Sequence, residues 1–127
     1  MPPEEDAALI LQVALRHEAS LRAALDPLFP QENWGFLAQQ AVENLLKAVI
    51  VLSDQPSPLS HDLSRLSAMA QVRLPEGLEE LQTFAVKARY SPNETPLPAS
   101  REQLLGWIEC LRRDVEAAIA AHGPELR

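Results

Sequence analysis

The sequence predicts an all-α fold, an antiparallel up-and-down bundle of four to five helices in one domain over residues 1–127. Apolar residues recur at helical spacing along several stretches, and no stretch alternates in the way that a strand does. The eleven prolines fall between these stretches, as their missing N–H requires. Aromatic residues make up only 5% of the chain, and the strong helix formers Leu and Ala dominate its apolar part.

The first two helices are expected to be long. Helix one should run from about Glu4 to Leu25, because Ile10, Ala14 and Leu21 recur on one face and its acidic start suits the helix dipole. Helix two should run from about Glu32 to Leu52. Together with the last helix, these two helices are expected to frame the bundle.

Two shorter helices are expected in the middle of the chain. Ser60 is a good N-cap for helix three, whose apolar stripe is Leu63, Leu66 and Ala70. Helix four should cover about Glu76–Arg89, with apolar residues again at helical spacing.

The last helix carries recognisable signals at both ends. Ser100 and Gln103 form a capping box at its start, and Gly123 followed by a proline ends it. The stripe between them comprises Leu104, Ile108, Leu111, Val115 and Ile119. The preceding segment, residues 91–99, holds three prolines and is expected to be a linker.

Composition and charge narrow the class of protein. The chain is 46% apolar and 23% charged, which is typical of a globular domain. Its net charge of −7 disfavours direct binding to RNA or DNA, because phosphate contacts need clustered Lys and Arg. The charge is compatible with a basic protein partner.

The sequence also suggests a compartment. Cys110 is a lone cysteine in an apolar helical pattern, which predicts a small buried side chain and a reducing environment. The acidic N-terminus does not resemble a signal peptide, and the longest apolar run, Ala48–Leu52, is too short to span a bilayer. We therefore expect a cytoplasmic protein without a membrane segment.

Helix two carries a compact polar face. At 100° per residue, Gln39, Gln40, Glu43, Asn44 and Lys47 fall within one arc, and nearly all its other side chains are apolar. Glu43 and Lys47 stand in the favourable i,i+4 order. This face is either an ordinary solvated surface or an enclosed set of polar groups that must be paired.

Three segments of the chain resemble motifs of one protein family. They are Phe36-Leu-Ala-Gln-Gln-Ala-Val-Glu-Asn-Leu-Leu-Lys-Ala on helix two, Pro58-Leu-Ser-His-Asp-Leu before helix three, and Ala88-Arg-Tyr-Ser-Pro after helix four. In this order they resemble the HEPN family of small prokaryotic helical proteins, over roughly Ala7–Ala121.

The resemblance implies a four- or five-helix bundle that is often a homodimer. It also implies a protein partner, a minimal nucleotidyltransferase encoded nearby, in a complex or a toxin–antitoxin pair. Some branches of the family are ribonucleases, in which an Arg and a His with four to six residues between them supply phosphate binding and acid–base chemistry. None of the three histidines here has that spacing, and the nearest pair on the last helix, Arg113 and His122, is nine positions apart.

The candidate site is therefore a binding site, and no residue is assigned a catalytic role. Its residues are Gln40, Glu43, Lys47, His61, Asp62, Arg89 and Tyr90. In one interpretation Lys47, His61 and Arg89 meet a phosphate or acidic ligand. In the other, the same residues form a mutually satisfied network between helices two, three and four. Asp62 and Arg89 also have local roles, since they would complement the helix ends.

The remaining polar residues fit structural roles. His17 lies in the apolar stripe of helix one, which predicts a core or interface histidine. The spacing of the histidines and of Cys110 matches no zinc site, and the four glycines form no phosphate loop. We expect neither a metal nor a cofactor.

Three hypotheses follow from these observations. The first is a non-catalytic, homodimeric partner of a nucleotidyltransferase, with a nucleotide as a possible ligand. The alternative is a metal-independent ribonuclease toxin with a shifted site, using His61 with Arg89 or Lys47. The third is a simple nucleotide-binding module in which Lys47 contacts the phosphates.

Overall fold

The computed structural model describes residues 2–86, 90, 92 and 94–122. In this part of the chain the α-helices are α1 (Pro3–Ala23), α2 (Gln31–Leu52), α3 (Leu63–Ala70), α4 (Glu76–Glu79) and α5 (Arg101–His122). A 3₁₀ segment, Glu80–Phe84, follows α4 directly, and no strand occurs among the described residues. The predicted all-α bundle is confirmed.

Helix α2 lies at the centre of the bundle. It packs against α1, α3, α5 and the 3₁₀ segment, so apolar side chains are buried around most of its circumference. The helix is long and apolar enough to cross a membrane by length and composition, but 67% of its most apolar window is buried inside the bundle. Burial by neighbouring helices accounts for its apolar character.

Contacts at both ends show that α1 and α5 are antiparallel. At one end, Nδ1 of His122 in the last turn of α5 lies 3.4 Å from Oε2 of Glu4 in the first turn of α1. Arg101, the first residue of α5, donates to the carbonyl oxygens of Ala24 and Asp26 at 2.9 Å and of Phe29 at 2.5 Å. Its guanidinium also lies 5.9 Å from the centroid of the buried Trp34 ring. One arginine thus satisfies the carbonyl group of the α1 C-cap, Ala24, and two carbonyl groups of the loop that leads to α2.

The start of α3 differs from the prediction in its capping residue. The N-cap is Asp62, whose carboxylate accepts from the N–H groups of Ser64 at 3.0 Å and Arg65 at 3.3 Å. Ser60 lies two residues earlier and accepts instead from the N–H of Asp62 at 3.1 Å. The helix therefore begins later than predicted, because a carboxylate is available to cap it.

Helix four is shorter than predicted. The α-helix ends at Glu79 and continues as the 3₁₀ segment, with Leu78, Leu81 and Phe84 all fully buried. A spacing of three places these side chains on one face of a 3₁₀ helix, so the apolar stripe did not distinguish the two helix types. The last predicted residues of this helix, 87–89, lie outside the described part.

Helix α5 confirms the predicted cap but not the predicted burial of its cysteine. The N–H of Gln103 donates to Ser100 Oγ at 3.0 Å, as in a capping box. Cys110 is exposed, so the prediction that it is a small buried side chain was wrong. Cys110 follows the buried Ile108 by two positions, and a step of 200° turns it away from the core.

Candidate functional site

A buried carboxylate lies at the centre of the polar face of α2. Glu43 is only 4% exposed. Its Oε2 atom accepts from Lys47 Nζ at 3.0 Å and lies 2.9 Å from Nδ1 of His61, while Oε1 accepts from Gln39 Nε2 at 3.1 Å. We call Gln39, Glu43, Lys47 and His61 the α2 cluster. Its carboxylate is enclosed and accepts from three donors. The centre of the polar face is therefore an enclosed set of paired polar groups and not an ordinary solvated surface.

Gln39 connects the carboxylate to the loop before α3. Its Nε2 atom, which donates to Glu43, also lies 3.4 Å from the backbone oxygen of His61. Its Oε1 atom accepts from Gln40 Nε2 at 2.8 Å, and the backbone oxygen of Gln40 accepts from Asn44 Nδ2 at 2.9 Å. The amides of α2 thus extend the network along the helix surface.

His61 is held firmly although its side chain is 69% exposed. Its ring nitrogen Nδ1 contacts Glu43, and its backbone oxygen contacts Gln39. Two residues later the N–H of Leu63 donates to Gln82 Oε1 at 2.7 Å, which ties the same loop to the 3₁₀ segment. With Nδ1 donating to the carboxylate, Nε2 is the ring nitrogen that can accept from an outside group.

The electrostatics of the cluster favour an ionised Glu43. Burial raises the pKa of Glu43, but the hydrogen bonds from His61, Lys47 and Gln39 outweigh it and hold the pKa below its ordinary value. The charge of the same carboxylate also acts on His17 of α1. Burial, followed by the nearby charge of Arg16, lowers the pKa of His17, and the Glu43 charge opposes this only in part.

The predicted site residues have different places in the structure. The structure brings Glu43, Lys47 and His61 together, and Gln40 joins them through Gln39. The carboxylate of Asp62 instead caps α3. Tyr90 is exposed, and Arg89 lies outside the described residues.

The predicted site left out three residues of this region. Gln39 was placed on the polar face of helix two but not in the site, although it stands four residues before Glu43 and that spacing was a usable signal. Gln82, which accepts from the Leu63 N–H, and His17, whose pKa responds to the Glu43 charge, lie far from Glu43 along the chain, and periodicity carries no information about such distant neighbours.

A second buried carboxylate joins α1 to α5. Arg112 contacts both carboxylate oxygens of Glu18, through Nε at 3.1 Å and Nη2 at 3.2 Å, and Arg22 donates to Glu18 at 2.6 Å. Arg22 also donates to Glu109 at 2.9 Å. Burial raises the pKa of Glu18, but the hydrogen bonds from Arg112 and Arg22 outweigh it and keep the pKa low. This network is separate from the α2 cluster and fixes the two helices to each other.

The described residues offer no group of three or more His, Cys, Asp and Glu side chains placed to hold a metal ion. The donors of the α2 cluster are an ammonium, an imidazole and an amide around one carboxylate. That set stabilises a negative charge that belongs to the protein itself.

Fold and site together define a small helical-bundle protein with a buried, charge-paired glutamate on its central helix. The family model for the HEPN domain matches residues 32–120, which include α2, the loop with His61 and most of α5. The chain belongs to the HEPN family. Neither the curated proteins nor the solved structures gave a match.

The stability of the fold is expected to fall in two stages on acidification. The pKa of His17 is lower in the folded chain than in the unfolded chain, so on acidification the unfolded chain binds a proton at His17 first. The free energy of unfolding therefore decreases as the pH falls below about 6.5. The folded pKa values of Glu18 and Glu43 are also lowered, so their contribution is complete above about pH 4.3 and is lost below it. Urea unfolding at a series of pH values measures both stages.

Two variants assign the stages to residues. His17→Gln should remove the change in the free energy of unfolding near pH 6. The double variant Glu18→Gln, Glu43→Gln should flatten its change below pH 5. An unchanged pH profile in either variant would show that these groups are not responsible.

Proposed function

We propose that this HEPN protein acts as the non-catalytic partner of a nucleotidyltransferase, in a stable complex or a toxin–antitoxin pair. The observation that supports this most directly is the pairing of Glu43 within the chain. Its carboxylate is paired with Lys47, His61 and Gln39, so the polar side chains of the α2 cluster hold the loop before α3 against α2.

The charge and the motif spacing support the same proposal. A chain of net charge −7 is repelled by RNA phosphates but attracted to a basic protein surface. The Arg–His spacing of the family's ribonucleases is absent from its sequence. A nucleotide ligand is compatible with the proposal if its phosphate contacts Lys47 at the edge of the α2 cluster. The Lys47 side chain is 12% exposed.

Copurification with the products of neighbouring genes tests the partnership. We expect a nucleotidyltransferase encoded beside the gene to bind the tagged chain and to co-elute with it as one complex. A neighbourhood without such a gene, or a neighbouring nucleotidyltransferase that elutes separately, would refute the proposal.

Calorimetry tests the nucleotide ligand separately. If ATP or GTP binds at the cluster, Lys47→Ala should weaken the affinity, whereas Arg113→Ala on the exposed side of α5 should not. Equal affinities in the two variants would place any nucleotide elsewhere.

One observation favours a second candidate, a metal-independent ribonuclease. A buried carboxylate contacts Nδ1 of an exposed imidazole, which is the arrangement that orients a histidine for proton transfer through Nε2. In this candidate His61 is the base, and Lys47 or Arg89 contacts phosphate.

A cleavage assay on transfer and messenger RNA decides between the two candidates. His61→Ala should abolish cleavage, whereas His122→Ala, a change at the other partly exposed histidine paired with a glutamate, should not. Intact RNA at high concentrations of the wild-type protein would exclude this candidate.

A further inference from the structure

An apolar groove lies where the end of α1 meets the start of α2. It has a volume of about 630 Å³, and its lining includes Ala23, Ala24, Leu28, Phe29 and Leu37. A smaller depression shares Phe29 and Leu37 with this groove and extends it along α2. The α2 cluster contributes no residue to either lining, and the proposed function does not use the groove.

An acidic depression adjoins the groove at the loop between α1 and α2. Its volume is about 590 Å³, and Leu28 and Pro30 line both the depression and the groove. Three glutamates line the depression as well, Glu32 at the start of α2, Glu102 at the start of α5, and Glu94 before α5. We call the lining residues of the groove and of this depression together the hairpin surface. It combines an apolar part with a strongly acidic part.

The glutamates of the acidic depression form no ion pair with any residue that the structure describes. Oε2 of Glu32 accepts from the N–H of Thr95 at 3.3 Å, which is a neutral donor. Arg101 is the one cation among the described residues that line the depression. Its guanidinium donates to three carbonyl oxygens of the loop instead. The negative charge of the depression is therefore left for a cation from outside the chain.

Leu28 joins the two parts of the hairpin surface and stands on a fixed loop. Its side chain is 89% exposed. Its N–H donates to Asp26 Oδ1 at 2.8 Å, and the N–H of Phe29 donates to the backbone oxygen of Asp26 at 2.9 Å. Arg101 holds the carbonyl groups of the same loop. A large apolar side chain on a fixed loop loses little entropy when a partner covers it.

The charge of the hairpin surface decides between the partners that an apolar groove could take. A second copy packed face to face on this surface would bring its own three unpaired glutamates towards these three. Nucleic acids and anionic membranes would be repelled in the same way. A protein segment with apolar and basic side chains matches both parts of the surface, and the net charge of −7 attracts it over a longer range.

We propose that the hairpin surface binds a basic amphipathic helix of a partner protein. Apolar side chains of the helix pack on Leu28 and in the groove, and its Lys or Arg side chains pair with the glutamates of the acidic depression. An amphipathic helix presents both kinds of side chain, because basic residues can border the apolar face. The proposal is independent of the proposed function, since the protein that carries the helix need not be a nucleotidyltransferase.

Fluorescence anisotropy with a labelled synthetic peptide tests the proposal. The probe is a helical peptide of about 15 residues, with leucines along one face and lysines at the border of that face. We expect it to bind the full chain at low salt and to bind more weakly as the salt concentration rises. A peptide with glutamate in place of lysine should not bind, and one with serine in place of leucine should bind at least about tenfold more weakly.

One pair of variants tests the apolar part of the surface. Leu28→Ser should weaken binding of the leucine–lysine peptide about tenfold, because a large apolar contact is lost. The matched control is Leu59→Ser, at a leucine that is 95% exposed on the loop before α3, and it should leave the affinity unchanged. Both positions are exposed, so both variants should keep the helical circular dichroism of the wild-type chain.

A second pair of variants tests the acidic part. The double variant Glu94→Gln, Glu102→Gln should weaken binding of the same peptide about fivefold, because two ion pairs are lost. The double variant Glu76→Gln, Glu80→Gln changes the net charge by the same amount at exposed positions outside the surface, and its effect should be much smaller.

Three results would overturn the proposal. They are no binding of the leucine–lysine peptide to the wild-type chain, equal affinities of Leu28→Ser and Leu59→Ser, and equal affinities of the two double glutamine variants. Light scattering after gel filtration tests the other occupant. A wild-type dimer that Leu28→Ser converts to a monomer would assign the groove to a second copy of the chain and would also overturn the proposal.

Discussion

Replacing Lys47 with methionine should lower the free energy of unfolding by about 3 kcal/mol. Methionine keeps most of the volume but removes the ammonium group that lies 3.0 Å from Glu43 Oε2. The Glu43 side chain is buried, so water cannot replace the lost charge. His61 still contacts Glu43, which keeps the loss at the lower end of the range for a broken buried pair. Urea unfolding at pH 7 measures the change.

A double-mutant cycle provides the control for this prediction. Glu43→Gln removes the charge that Lys47 neutralises, so the double variant should be more stable than the sum of the two single losses predicts. If Lys47→Met alone lost less than about 0.5 kcal/mol, the pair would behave as an exposed surface pair and the cluster would not be an enclosed network.

Replacing Gly35 with alanine should destabilise the fold by about 2–3 kcal/mol. Gly35 is buried on α2, and a Cβ atom there would overlap the side chain of Phe84, which is itself fully buried. The ring has no room to retreat, so the 3₁₀ segment that carries it must shift. Thermal and urea unfolding should both report the loss.

Gly106 offers a matched control for Gly35. It lies in the second turn of α5, and a Cβ atom there meets nothing within 4 Å. Gly106→Ala should therefore stabilise the protein by about 0.5–1 kcal/mol through helix propensity alone. Adding Phe84→Leu to Gly35→Ala should recover part of the loss, and no recovery would show that the ring is not the obstacle.

The two carboxylate networks have different consequences for function. The α2 cluster lies in the region that the HEPN family model matches and ends in the exposed ring of His61. The Glu18 network uses α1 and α5 and offers no comparable exposed imidazole among its members. Changes at Glu18 should therefore act through stability, whereas changes at His61 affect a group that a ligand can reach.

The amino-acid sequence was sufficient for the fold class and for most of the helices. Proline positions, helical periodicity and the Ser100 cap are local signals, and α1, α2 and α5 begin and end within a few residues of the predicted positions. The signals failed where two local structures share one pattern. A stripe with a spacing of three fits both an α-helix and the 3₁₀ segment at Glu80–Phe84.

The sequence by itself determined that Glu43 and Lys47 share one face of α2, because the helical repeat fixes which side chains are neighbours along a helix. Only the tertiary structure decided that this face is enclosed, that His61 completes it from 18 residues away, and that Glu18 meets Arg112 across 94 residues. The physical reason is that pairing between helices depends on how they pack, which periodicity within a single helix does not encode. The sequence therefore located the polar face of α2, and the packing of α2 against its neighbours decided that this face is enclosed.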